Sequence, residues 1–306
     1  MRQRASAADP LLASFGALLD VVRGLRWRAR RASRIAVPGM HPSRVHGTSA
    51  EFTEYRPYRQ GDEVRRIDWR LLARTDRAQI RLSEERAVTP TMIVLDASAS
   101  LAYPEDISIS KWRLACELAI GLAAVAHAGA DPVGVTIVGE TVRTLPPRNR
   151  RGVIGELIRV VAAVRASGDA PVAPAVHAAL RSAARVVVIT DLLGDADDVL
   201  RAASEGVAAG RDVHLLHVIA REELEPAASV AIVHDPEQPA LRRPLAPESR
   251  AAYERAFATW REDVARRWLA SGAAYRVIVT GAEPAAHVIR RIARDEPMLA
   301  PTTSRA

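Results

Sequence analysis

The sequence predicts an α/β fold, with a doubly wound, largely parallel sheet of the Rossmann type that is covered by helices on both faces. Apolar runs of strand length alternate with helical patterns from residue 91 onward, and most of the runs are continuously apolar, as in strands buried on both faces. The predicted strands are 92–95, 133–138, 186–189, 213–219 and 275–279. The predicted helices are 112–128, 153–165, 172–183, 197–209 and 248–270.

The chain starts with a helical pattern in which apolar residues share one face, at Leu11, Phe15, Leu18, Val22 and Leu25. An arginine-rich stretch follows and extends to residue 34. Such a basic amphipathic helix packs on its own domain, lies on an anionic membrane surface or binds nucleic acid, and the pattern leaves all three interpretations open.

The rest of the chain follows in order. Residues 35–50 contain Pro, Gly and His, the composition of an irregular connection, whereas 51–86 are dense in charged and aromatic residues. Residues 230–245, with a turn at Asp235-Pro236, predict a hairpin before the long helix. The predicted organisation is a basic amphipathic helix (1–34), a segment packed on the main domain (35–90), the α/β domain (91–295) and a disordered tail (296–306).

The composition is that of a soluble globular protein. The 306 residues are 48% hydrophobic and 26% charged, enough for one large domain with attachments or two modest domains. The formal charge of +7 comes from arginine, because Lys111 is the only lysine. Cys116 is the only cysteine, which excludes a disulfide framework and indicates a reducing compartment. No export signal or membrane-spanning run is recognisable, so we expect a cytoplasmic location.

Oxygen-bearing side chains follow two of the predicted strands. Asp96, Ser98 and Ser100 come after the first strand, and Thr190-Asp191 ends a later one. Ligands of open parallel sheets bind at the carboxyl ends of the strands, where these residues are expected to meet. Hydroxyl and carboxylate oxygens are the ligands of hard cations such as Mg²⁺.

The Asp-x-Ser-x-Ser loop at 96–100 resembles the metal-ion-dependent adhesion site of von Willebrand factor A domains, which bind proteins through a divalent cation. The resemblance implies that Asp191 supplies the third loop. The second loop departs from the family pattern, because Ala170 stands where a Thr belongs and only the neighbouring Asp169 offers an oxygen. The implied Mg²⁺ or Mn²⁺ ligands are Asp96, Ser98, Ser100, Asp191 and Asp169.

A more specific resemblance lies upstream. The run Gly-Asp-x-x-Arg-x-Ile-Asp-Trp at 61–69, within 51–69, is similar to the signature of the bacterial domain of unknown function 58 family. In that family the motif precedes a von Willebrand factor A-like domain, and the genes lie beside those of MoxR-type AAA+ ATPases. The resemblance therefore implies a role in the assembly or maturation of other proteins, with such an ATPase as partner.

The signature residues have two interpretations. Asp62 or Asp68 can pair with nearby arginines, which predicts an ion-pair network with Trp69 packed between it and the sheet. Alternatively, exposed Trp and Arg side chains form a docking surface for a partner. The residues concerned are Gly61, Asp62, Arg65, Arg66, Asp68 and Trp69, with Arg74 and Arg81 as further candidate ion-pair partners.

Three functions are compatible with these features. The leading hypothesis is a non-enzymatic adaptor that binds a protein through the adhesion-like site. Binding of nucleic acid or a membrane surface through residues 11–34 is the second. A phosphatase of the haloacid dehalogenase type is the third, but that chemistry needs a carboxylate two residues after the first Asp, where this chain has Ser98. No phosphate-binding glycine loop is present in the sequence.

Overall fold

The computed structural model describes residues 10–27, 52–60, 62, 64–83, 88–227, 232–234, 242–244 and 246–296. The chain divides into two compact units, which we describe separately. One unit contains Met1–Pro38 together with Thr89–Ala306, and the other contains Gly39–Val88.

The helices and strands are numbered in chain order. The helices are α1 (Pro10–Val22), α2 (Trp69–Thr75), α3 (Lys111–Ala128), α4 (Val153–Ala162), α5 (Ala173–Ser182), α6 (Ala196–Ala208), α7 (Arg221–Leu224), α8 (Pro247–Ala270) and α9 (Ala285–Arg294). The strands are β1 (Phe52–Pro57), β2 (Gln79–Ser83), β3 (Thr91–Asp96), β4 (Val133–Val138), β5 (Val142–Arg148), β6 (Arg185–Thr190), β7 (Asp212–Ile219), β8 (Ile232–His234), β9 (Arg242–Pro244) and β10 (Ala274–Val279).

The larger unit is built on a six-stranded sheet in the order β10-β7-β6-β3-β4-β5. All neighbouring pairs are parallel except β4 with the edge strand β5. Every residue of β3, β4, β6 and β7 is buried, which explains their continuous apolar runs. The predicted doubly wound, largely parallel α/β class is therefore confirmed.

Helices cover both faces of this sheet. Apolar residues of α1, α3, α4 and α9 form one core on the first face, and those of α5, α6 and α8 form a second core on the other. The strand order reverses between β3 and its neighbours, because β3 lies between β6 and β4. A crevice at the carboxyl ends of β3 and β6 is the expected consequence.

Helix α1 belongs to the larger unit. Leu11, Phe15, Leu18 and Val22 are buried in the core that α1 shares with α3 and α9. The division of the chain thus differs from the predicted one, in which 1–34 formed a separate segment. Of the three interpretations of this helix, packing on its own domain is the one observed for its apolar face. The arginine-rich residues 28–34 lie outside the described part of the chain, as does the tail from residue 297.

The smaller unit contains an antiparallel pair, β1 with β2, and the short helix α2 between them in sequence. In the larger unit, β8 and β9 pair antiparallel, which confirms the hairpin predicted at 230–245. Strand β5 and helix α9 were missing from the prediction. Among the described residues, no helix is long and apolar enough to cross a membrane.

Replacing Phe15 by Ala is expected to lower the free energy of unfolding by about 3–5 kcal/mol, since a large side chain would leave a cavity in a closed core. Phe15 is 1% exposed, whereas Leu12 on the same helix is 43% exposed. Leu12→Ala is therefore the matched control, with an expected change within about 0.5 kcal/mol. Urea unfolding followed by far-ultraviolet circular dichroism measures both. Equal stability of the two variants would mean that α1 is not part of the core.

Candidate functional site

The loop after β3 is held by hydrogen bonds to the end of β6. The Asp96 carboxylate accepts the Ser98 backbone N–H at Oδ1 (2.9 Å) and the Thr190 hydroxyl at Oδ2 (2.7 Å). The hydroxyls of Ser98 and Ser100 lie 3.0 Å apart, and Thr190 Oγ1 accepts the N–H of Leu192. The first three predicted site residues are thus brought together, and all are buried.

A cavity of about 280 Å³ opens beside this network at the carboxyl edge of the sheet. Asp96, Ser98 and Thr190 line it, and so do Asp169 and Ala170 of the second loop. Asp169 is exposed, and the methyl group of Ala170 occupies the position at which the resemblance implies a hydroxyl. The second loop therefore offers the cavity a side-chain oxygen only through the exposed carboxylate of Asp169, and Asp195, which accepts the N–H groups of Val172 and Ala173, also lines the cavity.

Asp191 is engaged elsewhere. Its Oδ2 accepts a hydrogen bond from Lys111 Nζ at 2.7 Å, and its Oδ1 accepts the N–H of Leu193. Lys111 also donates to Glu223 Oε1 on α7, at 2.6 Å. The Lys111 side chain is 0% exposed, and that of Asp191 is 3% exposed. The carboxyl edge thus carries a triad of one ammonium and two carboxylates, in which Lys111 and Asp191 are buried and Glu223 is partly exposed. The triad was not predicted from the sequence, because its members lie far apart in the chain.

Burial governs the protonation of this region. The pKa of Asp96 is raised to about 6, first by burial and then by the negative charge of Asp191. Burial also raises the pKa of Glu223. Burial opposes the charged form of Lys111, but the two carboxylates raise its pKa above the ordinary value, so the ammonium keeps its proton at neutral pH. The triad combines one ammonium with two carboxyl groups, so Lys111 cannot balance both when they are ionised, and an ionised Asp96 adds further negative charge to this edge.

His217 on β7 is a further buried polar residue, and it lies within the predicted strand 213–219. Its Nδ1 lies 2.8 Å from the Tyr275 hydroxyl, and its ring packs edge-on against Trp260 of α8. Burial lowers the pKa of His217 to about 4, so the ring is neutral at physiological pH. We find no acid-base pair between His217 and the hydroxyls of the 96–100 loop among the hydrogen bonds of the described residues.

The donor set does not fit the five-ligand adhesion pattern that the resemblance implies. Ala170 has no side-chain oxygen, and Asp191 is bound by an ammonium group. Within the described ranges, no group of three or more His, Cys, Asp or Glu side chains is placed to hold a metal ion. Mg²⁺ or Mn²⁺ at this position stays a prediction, and the geometry of the site does not support it.

In the smaller unit, some signature residues form structural contacts and others are exposed. Asp62 forms a bidentate ion pair with Arg56 and accepts the N–H of Arg59. Asp68 accepts the N–H groups of Arg70 and Leu71, which caps the amino end of α2, and it also accepts the Tyr55 hydroxyl. Both acidic residues of the signature are therefore structural, although Arg56 was not among the partners predicted for Asp62.

Trp69 and Arg65 are the exposed residues of the signature. Trp69 was expected to pack between an ion-pair network and the sheet; within the smaller unit, its side chain is 58% exposed at the start of α2. Arg65 is also exposed. Gly61 and the side chain of Arg66 lie outside the described residues. The exposed pair keeps a docking role open for this part of the signature.

Asp96→Asn is expected to raise stability at neutral pH. The folded-state pKa of about 6 lies above the ordinary 3.8, so the folded chain holds this proton more tightly than the unfolded chain does. The contribution of Asp96 to stability is therefore greatest below about pH 4 and falls as the pH rises to about 6, by about 3 kcal/mol in all. The amide of Asn does not ionise, so Asp96→Asn does not lose this stability as the pH rises.

Urea unfolding in EDTA at intervals from about pH 4 to about pH 7 measures the difference between Asp96→Asn and the wild type. His217 titrates over part of the same range with the opposite effect, but both proteins contain it and its contribution cancels. Exposed Asp198, replaced by Asn, controls for the change in net charge. Parallel pH profiles for Asp96→Asn and the wild type would contradict the prediction.

Comparison with known proteins identifies the family. Residues 54–263 match the family described as "Protein of unknown function DUF58". The uncharacterized proteins Rv1480 of Mycobacterium tuberculosis and Mb1516 of Mycobacterium bovis are each 28% identical to the chain, and the alignment covers 95% of this chain and 92% of theirs.

Among solved structures, the conserved hypothetical protein BatB of Bacteroides thetaiotaomicron is 18% identical, with a TM-score of 0.46. An aerotolerance-related membrane protein of Bacteroides fragilis is 18% identical, with a TM-score of 0.45. Each match covers 68% of this chain and 98% of the other chain. The family model spans well over half of the chain and contains the Gly61–Trp69 signature, the network at Asp96 and the Lys111 triad. The chain therefore belongs to the DUF58 family.

Proposed function

We propose that the chain is a non-enzymatic protein-binding adaptor or assembly factor that uses the carboxyl-edge face. Exposed apolar side chains on the two loops that carry the buried network support this proposal. Leu193, two residues after Asp191, is 48% exposed, and Ile107, between the 96–100 loop and α3, is 50% exposed. Exposed apolar side chains of this kind are typical of the central part of a protein interface.

A second depression of about 510 Å³ extends this face toward α8. It shares Leu192 and Asp195 with the first cavity, and Leu193 and Trp260 supply apolar walls. Asp197 and Arg267 form an ion pair at its rim. The combined surface offers a partner both apolar and acidic side chains, which suits a folded protein or an extended peptide segment.

The hydrogen bonds of the 96–100 loop favour binding over catalysis. Both oxygens of Asp96 already accept hydrogen bonds, and the Ser98 hydroxyl faces Ser100. A haloacid dehalogenase-type reaction needs a second carboxylate at the position of Ser98. The arrangement supplies neither an activated nucleophile nor a paired acid and base.

The proposed partner is a MoxR-type AAA+ ATPase, on the strength of the family resemblance, and the proposed location is the cytoplasm. Binding of a membrane surface through 11–34 has less support, because the apolar face of α1 is buried in the core. Nucleic-acid binding through the arginine-rich residues is the remaining alternative. A gel shift at low ionic strength with this protein separates that alternative from protein binding.

Leu193→Glu is expected to weaken binding of the purified host MoxR-type ATPase at least about tenfold, because a charge would be buried at the centre of the interface. Leu269→Glu is the matched control. Leu269 is 63% exposed near the carboxyl end of α8, which leads into the start of β10 at the opposite edge of the sheet. Isothermal titration calorimetry measures both dissociation constants. An unchanged dissociation constant for Leu193→Glu, or equal losses for both variants, would contradict the proposed face.

A further inference from the structure

Lys111 is the only lysine among the 43 basic residues of the chain. Every other position that needs a positive charge uses arginine, including Arg185, which is also fully buried. The position of Lys111 therefore has a requirement that arginine does not meet. An ammonium is a compact point charge, whereas a guanidinium is a wide planar fork.

The ammonium occupies a closed site between three elements. Nζ lies 2.7 Å from Asp191 Oδ2 at the end of β6 and 2.6 Å from Glu223 Oε1 on α7, while the Lys111 backbone begins α3. Glu223 is itself fixed, because its Oε2 accepts the N–H of Ala220 at 2.7 Å. Two carboxylates at contact distance around a fully buried cation form a coordination-like arrangement rather than a surface ion pair.

The placement of Lys111 runs against the local preference of a helix. Its backbone is the first residue of α3, after the Ser110 N-cap, and positive charge is unfavourable at a helix amino end. The Lys111 N–H donates to the Tyr103 carbonyl, which fixes the backbone there. Only the two carboxylates offset this cost, so the position is explained by Asp191 and Glu223 and not by helix formation.

We propose that the Lys111 ammonium is the resident cation of the carboxyl-edge site. It balances the charge of Asp191, the residue that the von Willebrand factor A resemblance assigns to a divalent metal, and the site functions without Mg²⁺ or Mn²⁺. A divalent ion near Asp191 would be repelled by the ammonium at close range. This inference concerns the site alone and does not depend on the identity of a protein partner.

Two substitutions at the same position test the proposal on the full-length protein. Lys111→Ala removes the ammonium and leaves space for a cation, whereas Lys111→Met removes the charge and fills the space. Both are expected to lower Tm in EDTA by roughly 10 °C, since the buried Asp191 carboxylate and the partly exposed Glu223 carboxylate lose their counter-ion. Millimolar Mn²⁺ or Mg²⁺ is expected to restore several degrees to Lys111→Ala but not to Lys111→Met, because binding to the folded state raises stability.

The wild-type protein tests the proposal even if neither variant folds. Its Tm is expected to be the same in EDTA and in millimolar metal, with no stoichiometric Mn²⁺ binding by electron paramagnetic resonance. One equivalent of tightly bound Mn²⁺ in the wild type would overturn the proposal. So would Lys111→Ala with wild-type stability in EDTA. The third contradicting result is a Lys111→Ala protein that loses stability and regains none with either ion. Lys111 would then be only a structural ion-pair partner, and the proposal would be overturned.

Discussion

An ammonium with no solvent exposure is tolerated only where carboxylates replace its lost hydration. Lys111 meets this condition through Asp191 and Glu223, and the requirement ties together the start of α3, the end of β6 and the short helix α7. The geometry of the carboxyl edge depends on it. If Lys111 moved, both carboxylates would lose their partner and the charge of Asp191 would stay buried, so the three segments favour one arrangement.

This constraint divides the carboxyl edge into two parts with different chemistry. On one side Asp96 is surrounded by hydroxyls and a backbone N–H, with a cavity beside it and a pKa shifted toward neutrality. On the other side the charges of Lys111 and Asp191 are balanced internally. Leu193 lies exposed beside this centre, on the face that we propose for protein binding.

The parallel sheet could be predicted from the sequence, because strands buried on both faces have continuous apolar runs. The proximity of Asp96 and Thr190 could be predicted as well, because neighbouring parallel strands end at the same edge of the sheet. The sequence was not sufficient for β5, whose Pro146 and Pro147 weaken any strand pattern and are accepted only at a sheet edge. Gly134 of β4 permits that contact, since a Cβ there would lie 2.5 Å from the Leu145 carbonyl oxygen. The orientation of Asp191 could not be predicted either, because its carboxylate binds a lysine that lies 80 residues away in the chain.

The burial of Lys111 has a consequence for handling the protein. Lys111 is the only lysine of this sequence and is fully buried, so the folded residues 1–306 offer amine-reactive dyes, cross-linkers and immobilisation chemistries no exposed lysine side chain. Modification of Lys111 itself would report that the carboxyl edge had opened, which makes this residue an intrinsic reporter of local unfolding.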